Sequence, residues 1–247
     1  MLEHAIVVTG AASGLGAATA HALAEHGYSV ALVDVAPIAD VPERCLSFHC
    51  DVTDPAAVGA VVDQICADMG GISGMVACAG IAPGAKLVGR DGPHDPGLFA
   101  KVMAVNVMGT FHMMAACGAK MKTNAPDRGG LRGVMVTTAS IAAFEGQIGQ
   151  IAYAASKGAV AAMTLPAARE LARDGIRVAS IAPGVFDTPM MQAMPEEVRN
   201  SIAATVPFPP KLCDPADFAA LVLHILSNRS VNGEVIRIDG ALRMGAT

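Results

Sequence analysis

HAIVVTGAASGLGAATAHALAEH, residues 4–26, is the stretch whose reading decides the fold. A β-branched run, HAIVVT (4–9), meets glycines at 10, 14 and 16 and passes into an Ala-rich helical segment, 14–26. A strand that turns tightly into a helix opens a βαβ unit. The alternation continues along the chain. Further strand candidates are YSVALVD (28–34), CLSFHC (45–50), GMVACA (74–79), GVMVTT (133–138), IRVASI (176–181) and EVIRID (234–239), with helical stretches at 55–69, 97–121, 151–173 and 214–227. The strand runs are continuously apolar, which is what a parallel sheet covered on both faces demands. No linker, repeat or low-complexity segment interrupts them. The expectation is an α/β fold: one domain, 1–247, a doubly wound seven-stranded parallel sheet with helices on both faces.

Two segments break the pattern. Residues 81–96, IAPGAKLVGRDGPHDP, and 183–213, rich in Pro and Met, read as too polar or too broken for core. Both follow a strand, so both fall at the carboxyl edge of the sheet, where open α/β folds bind ligands. The second is expected to form a lid.

The totals exclude some classes. A formal net charge of -5 and a pI near 5.8 give no general attraction to nucleic acid. Mean hydropathy is +0.46, which raises the question of a membrane. The uncharged stretches 4–24 and 102–119 contain glycines, histidines and an asparagine, not the unbroken apolar run of ~20 residues that a span requires. Glu3 stands where a signal peptide would be positive. A soluble, cytoplasmic protein is expected. The six cysteines show no C-x-x-C pair and no metal spacing, and read as reduced, mostly buried thiols.

The first glycine turn fits an anion. Gly10 permits the turn, Gly14 and Gly16 allow close backbone approach to a pyrophosphate, and the helix start adds free N–H groups. Steric need alone explains such a turn too. The neighbouring strand ends add weight: Asp34 stands where a carboxylate takes a ribose 2′-hydroxyl, or merely caps a strand. Asp51-Val52 could meet an adenine, although Asp51 could equally cap the helix starting near Pro55. Cys78-Ala79-Gly80 ends the fourth strand with small side chains where a dinucleotide would cross. Asp34 also favours NAD over NADP, since a carboxylate ~5 Å from a phosphate is opposed by about 3 kcal/mol. No Lys or Arg between Thr9 and Glu25 offsets it.

AYAASKGAVAAMT, residues 152–164, places Tyr153 four residues before Lys157 among small side chains. On a helix the two share a face. Making a phenol basic near neutral pH takes about 4 kcal/mol, and an ammonium ~4 Å away supplies about that much. The pair can therefore act as general base, or acid in reverse; a surface Lys beside a packed Tyr is the plainer meaning of the spacing. Ser140 follows the fifth strand, where a hydroxyl can be aimed into a site. Asn106, on an apolar helical face, needs partners if buried.

Together TGAASGLG, the turn at 78–80, Asn106, Ser140, YAASK and PGVFDTP (183–189) resemble the short-chain dehydrogenase/reductase family over essentially the whole chain. TTASIAAFEGQIGQIAYAASKG, MTLPAARELARDGIRV, VPFPPKLCDPADFA and NGEVIRIDGALRM are more similar still to its 3-hydroxyacyl-CoA dehydrogenase branch. The resemblance implies a Rossmann-type fold and an NAD-dependent oxidoreductase that interconverts a secondary alcohol and a ketone, on a 3-hydroxyacyl-CoA or a related hydroxysteroid. Tyr153 would be the acid/base. Lys157 would hold the ribose and depress the phenol's pKa, Ser140 would bond the substrate oxygen, and Asn106 would carry a water in a proton relay. Ser13, Leu15, Asp34, Asp51, Val52, Cys78, Phe186 and Thr188 match positions lining NAD, and Gln150 one beside the substrate. The alternatives are a 3-oxoacyl-carrier-protein reductase, expected to prefer NADPH, and a non-catalytic NAD-binding subunit of an assembly.

The chain departs from the family in four places. VAPIADVPERC (35–45) leaves little room for a helix, Cys78 stands where most members have Asn, and the 81–96 and 190–204 segments differ most. A homotetramer is expected: helices 102–119 and 151–171 carry more apolar surface than one sheet face needs, and in the family these helices pair between subunits.

Overall fold

The structure is a computed structural model and describes residues 2–90 and 92–246, the side chain of Met190 aside. Its centre is a seven-stranded sheet, parallel throughout, built from β1 (Ala5–Thr9), β2 (Val30–Asp34), β3 (Cys45–His49), β4 (Ile72–Ala77), β7 (Gly133–Thr138), β8 (Ile176–Pro183) and β9 (Val235–Ile238). The order is β3-β2-β1-β4-β7-β8-β9. Two-residue strands β5 (Val88–Gly89) and β6 (Gly92–Pro93) form a small hairpin within 81–96. Asp91 of that segment lies outside the described residues.

Alternate residues of each strand feed two separate cores, which is why the strand runs lack polar alternation. Ile6, Val8 and Leu32 pack with α1 (Gly14–Glu25) and α8 (Pro215–Ser227). Ala5, Val7 and Met75 pack on the opposite face with α2 (Pro55–Met69), α4 (Thr110–Met121) and α5 (Ile151–Leu171). α2 starts at Pro55 because Asp54 accepts hydrogen bonds from Ala56 N and Ala57 N at 2.8 and 3.3 Å. Asp51 is therefore not the cap; it accepts from the Thr53 N–H and hydroxyl. As expected, no helix forms between β2 and β3.

α3 (Pro96–Met103), a π-helical turn (Ala104–Gly109) and α4 run on as one helix, Pro96–Met121, that is apolar and long enough to cross a membrane by length and composition. Its Met113, Met114, Cys117 and Met121 are buried in the core against α2 and the sheet, so it serves here as a covering helix. The 183–213 segment is more ordered than expected. It holds α6 (Pro189–Gln192) and α7 (Glu196–Ala204), and Phe186 and Val206 are buried core residues. Reading it as wholly outside the core was wrong because two scattered apolar residues leave no periodicity to see.

Candidate functional site

The strand order reverses between β1 and β4, opening a crevice at their carboxyl ends. Gly10 lies at φ +68, and a Cβ there would come within 2.7 Å of Ala79 N. On Gly16 a Cβ would sit 2.1 Å from the Gly10 carbonyl oxygen. The turn is therefore closed so tightly that only hydrogen fits inside it. Asp34 braces it: one carboxylate oxygen accepts from Ala12 N at 2.9 Å and the other from Ala36 N at 2.9 Å. Asp34 thus caps the strand end, and its carboxylate stands at the crevice. On the far wall Ala79 N donates to Thr9 Oγ1 at 3.2 Å, which ties the Cys78-Ala79-Gly80 turn to β1.

The outer positions are less uniform. Ser13 is the exposed N-cap of α1, and its hydroxyl makes no capping bond. Leu15 is half-buried and packs on the α1/α8 core. Val52 is buried against the π-turn, where a Cβ on Gly109 would meet its Cγ2 at 2.5 Å. Asp51 is exposed, and its bonds from Thr53 hold its carboxyl below the usual range. Thr188 lies across Gly14, its Cβ 3.5 Å from where a Gly14 Cβ would stand. Phe186 turns its ring into the core, edge-on to Phe218 at 6.3 Å, which leaves only its backbone for a ligand.

α5 delivers the reacting side chains. Lys157 is only 6% exposed, and Nζ lies 5.7 Å from the Tyr153 ring centroid. Nζ donates to the Thr138 carbonyl at 2.7 Å, its one hydrogen bond among the described residues. Ser140, at the end of β7, caps a short 3-10 turn by accepting from Ala142 N. Burial pushes the Tyr153 phenol up, and a hydrogen bond with Ser140 offsets part of that rise. Burial likewise pushes Lys157 down to about 8, with Cys78 nearby opposing the fall. The expected depression of the phenol by the ammonium is therefore not found in this structure. The expectation counted pairing attraction alone, whereas burial sets the direction at both groups.

Asn106 is fully buried in the π-turn. Its Nδ2 donates to the Ile81 carbonyl and to Ser156 Oγ, both at 2.9 Å, and its Oδ1 accepts from Ile81 N at 2.8 Å. Both amide hydrogens are committed, so this side chain clamps the loop after β4 to α5. Gln150 precedes the first residue of α5 and borders a cleft of about 600 Å³ lined also by Lys86, Leu87, Val88, Ile148 and Ala154. Sequence reasoning missed Ser156 and the Thr138 carbonyl. Ser156 was visible as the one hydroxyl between Tyr153 and Lys157; a backbone carbonyl leaves no mark on residue type.

The arrangement fits a nicotinamide dinucleotide. A turn no side chain can enter, an uncommitted N-cap hydroxyl, and a buried ammonium with two of three hydrogens unused by the protein all await a polar, phosphate-bearing partner. Comparison with known proteins agrees. The family model described as Enoyl-(Acyl carrier protein) reductase matches residues 10–242. The human 3-hydroxyacyl-CoA dehydrogenase type-2 is 46% identical over 246 residues, covering 96% of this chain and 94% of that protein. The crystal structure of 3-hydroxyacyl-CoA dehydrogenase type-2 from Mycobacterium avium superposes with a TM-score of 0.90 at 36% identity, covering 98% of this chain and 96% of the other. The structure of ElxO with NADP bound gives a TM-score of 0.84 at 25% identity, covering 96% and 97%. The chain belongs to the short-chain dehydrogenase/reductase family and is a nicotinamide-dependent oxidoreductase.

Proposed function

We propose that this short-chain dehydrogenase/reductase uses NAD to interconvert a secondary alcohol and a ketone on a 3-hydroxyacyl-CoA or a related hydroxysteroid. The observation that carries the reading is the grouping of Tyr153, Lys157 and Ser140 at the crevice, with Gln150 leading into the adjoining cleft. The cofactor supplies the hydride acceptor. Ser140 holds the substrate oxygen, and Tyr153 moves the proton between that oxygen and solvent. The protonated phenol is the resting form, which suits it to donate in the ketone-to-alcohol direction. In the other direction it must give up its proton to become the base, with the Lys157 ammonium 5.7 Å from the centre of its ring. A lysine of pKa about 8 remains mostly charged at neutral pH, so it can hold the ribose hydroxyls. Asn106 acts by fixing the loop after β4 against α5; the water of the relay is assigned to its neighbourhood rather than to its amide.

The fixed carboxylate of Asp34 supports NAD over NADP. The names of the 46% and 36% identical relatives support the acyl-CoA substrate. A homotetramer is part of the proposal: Met108 and Phe111 on the long helix and Ile151 and Leu165 on α5 are exposed apolar residues for pairing between subunits. A monomeric mass in sedimentation would remove that part.

Tyr153→Phe tests the chemistry. Turnover with a 3-hydroxyacyl-CoA should fall by roughly a hundredfold or more while NADH binding by fluorescence stays as in wild type. A variant keeping half its activity sinks the assignment. A tenfold preference for NADPH over NADH would instead favour reduction of a 3-oxoacyl group on a carrier protein.

A further inference from the structure

A second cavity lies at the other end of the sheet, beside the amino ends of β7 and β8. Its volume is about 520 Å³, and Arg132, Arg173, Arg177 and Arg229 all line it. That is four of the eleven arginines in a chain whose net charge is -5. Glycine makes the crowding possible. A Cβ on Gly129 would collide with the Arg229 guanidinium, and one on Gly175 would strike the Gly130 carbonyl at 2.2 Å.

The charges there do not balance. Arg229 pairs with Asp127, and Lys122 pairs with Asp174 at 3.2 Å. Arg132 donates only to neutral acceptors, the carbonyls of Lys122 and Asn124 at 3.3 and 2.8 Å. Arg177 does the same with the carbonyls of Val231 and Leu226, at 2.7 and 2.9 Å. It is only 7% exposed, and its Nε has no hydrogen-bond partner among the described residues. Arg173 is exposed and makes no side-chain hydrogen bond or ion pair among the described residues. Three guanidinium groups therefore share one cavity without a carboxylate partner among the described residues. Arg229 adds to the imbalance, since its charge works against that of Arg177.

A plainer role covers part of this. Arg132 bonds two carbonyls just past the end of α4, and Arg177 bonds one in the last turn of α8, a common use of arginine at helix ends. That role does not call for Arg173, nor for gathering four like charges around one hollow. A buried cation bonded only to neutral groups is costly unless an anion compensates it. The planar fork of a guanidinium matches a phosphate's oxygens, and several forks around one space select a compact anion over chloride.

We propose that this cavity is a binding site for a phosphate group, separate from the crevice that takes the dinucleotide. Inorganic pyrophosphate is the probe, titrated calorimetrically into the full-length protein. Wild type should show saturable binding that weakens as sodium chloride is raised. Arg173→Glu, at an exposed position where the fold is not at stake, should weaken it at least roughly tenfold. Arg132→Gln should weaken it less, and Ser13→Asp in the crevice should leave this event unchanged. The proposal falls if no saturable heat appears in wild type. It falls equally if Arg173→Glu, native by circular dichroism, binds as wild type does, or if Ser13→Asp abolishes the event instead. Glycerol 3-phosphate in a parallel titration separates a site for phosphate esters, which would bind it, from one for free phosphate, which would not.

Discussion

The two halves of the crevice are built by different means. The nucleotide half is backbone held by backbone: Gly10 and Gly16 leave no room for a methyl group, and Asp34 and Thr9 lock the turn through N–H groups at 2.9 and 3.2 Å. The substrate half is side chains held by little. Leu87 and Val88 are 62% and 72% exposed, Ile148 is 60% exposed, and one bridge between Ala85 and Gln150 joins the two walls. A rigid frame suits a ligand that never varies, whereas loosely packed walls can be altered without disturbing the frame. Substitutions in the first half should therefore unsettle the whole protein, and those in the second only its preferences.

The largest effect is expected at Gly16. Its added Cβ would meet a backbone carbonyl at 2.1 Å, which no rotamer change relieves. Gly16→Ala should cost about 3 kcal/mol of stability and remove NADH binding, read by thermal melting and by fluorescence titration. A variant that melts and binds like wild type would mean that the turn is softer than its geometry implies.

Next comes the buried ammonium that joins the two halves. Lys157 has a pKa of about 8 when folded against 10.5 ordinarily, so between those values the unfolded chain binds more protons. The Lys157 contribution to the stability of the cofactor-free protein should therefore rise by about 2 kcal/mol between pH 8 and pH 10. The Cys78 and Cys117 thiols, pushed up by burial to about 11 and about 12, act in the opposite sense over the same range. Above pH 10 the raised phenol of Tyr153 acts in the opposite sense, because the unfolded chain then releases its proton first. In denaturant melts wild type should therefore gain about 2 kcal/mol relative to Lys157→Met between pH 8 and pH 10, the thiols being common to both. A slope unchanged by that substitution would place the titration elsewhere.

The same contrast governs what is legible in the amino-acid sequence. Strands, helices and the nucleotide half were legible because steric rules act locally: a glycine is needed where the next turn of chain passes, and the pattern says so. The grouping of Tyr153, Lys157 and Ser140 was legible through helix periodicity and a strand end. The protonation balance was not, because desolvation depends on what residues distant in sequence remove from water, and attraction between two named groups is only part of it. Asn106 shows the limit well. Its burial was foreseen as a demand for partners, but Ile81 and Ser156 lie 25 and 50 residues away and carry no spacing that marks them. The core role of Val206 was hidden for a similar reason.

A smaller effect probes the seam between Val52 and the π-turn. Gly109→Ala drives a methyl against Val52 Cγ2 at 2.5 Å, but a side chain can move where a carbonyl cannot. We expect a loss of about 1–2 kcal/mol, partly restored in the double variant with Val52→Ala. Strict additivity of the two changes would show that the contact is not the source.

The smallest effect on stability, and the sharpest test of the contrast, belongs to the substrate half. Leu87→Ser with Val88→Ser removes two exposed apolar side chains from the wall of the cleft and takes nothing from either core. Melting should move within about 0.5 kcal/mol of wild type, since neither residue is buried. NADH binding should not change, because no bond of the glycine turn involves this loop. The KM for a 3-hydroxyacyl-CoA should rise about tenfold, the effect of withdrawing apolar contact from a bound acyl chain, while kcat holds. If kcat fell instead with KM unmoved, the loop would be reaching into the reacting groups through Ile81 and Asn106. The two halves would then be one mechanical unit, and the division between rigid frame and adjustable wall would have to be abandoned.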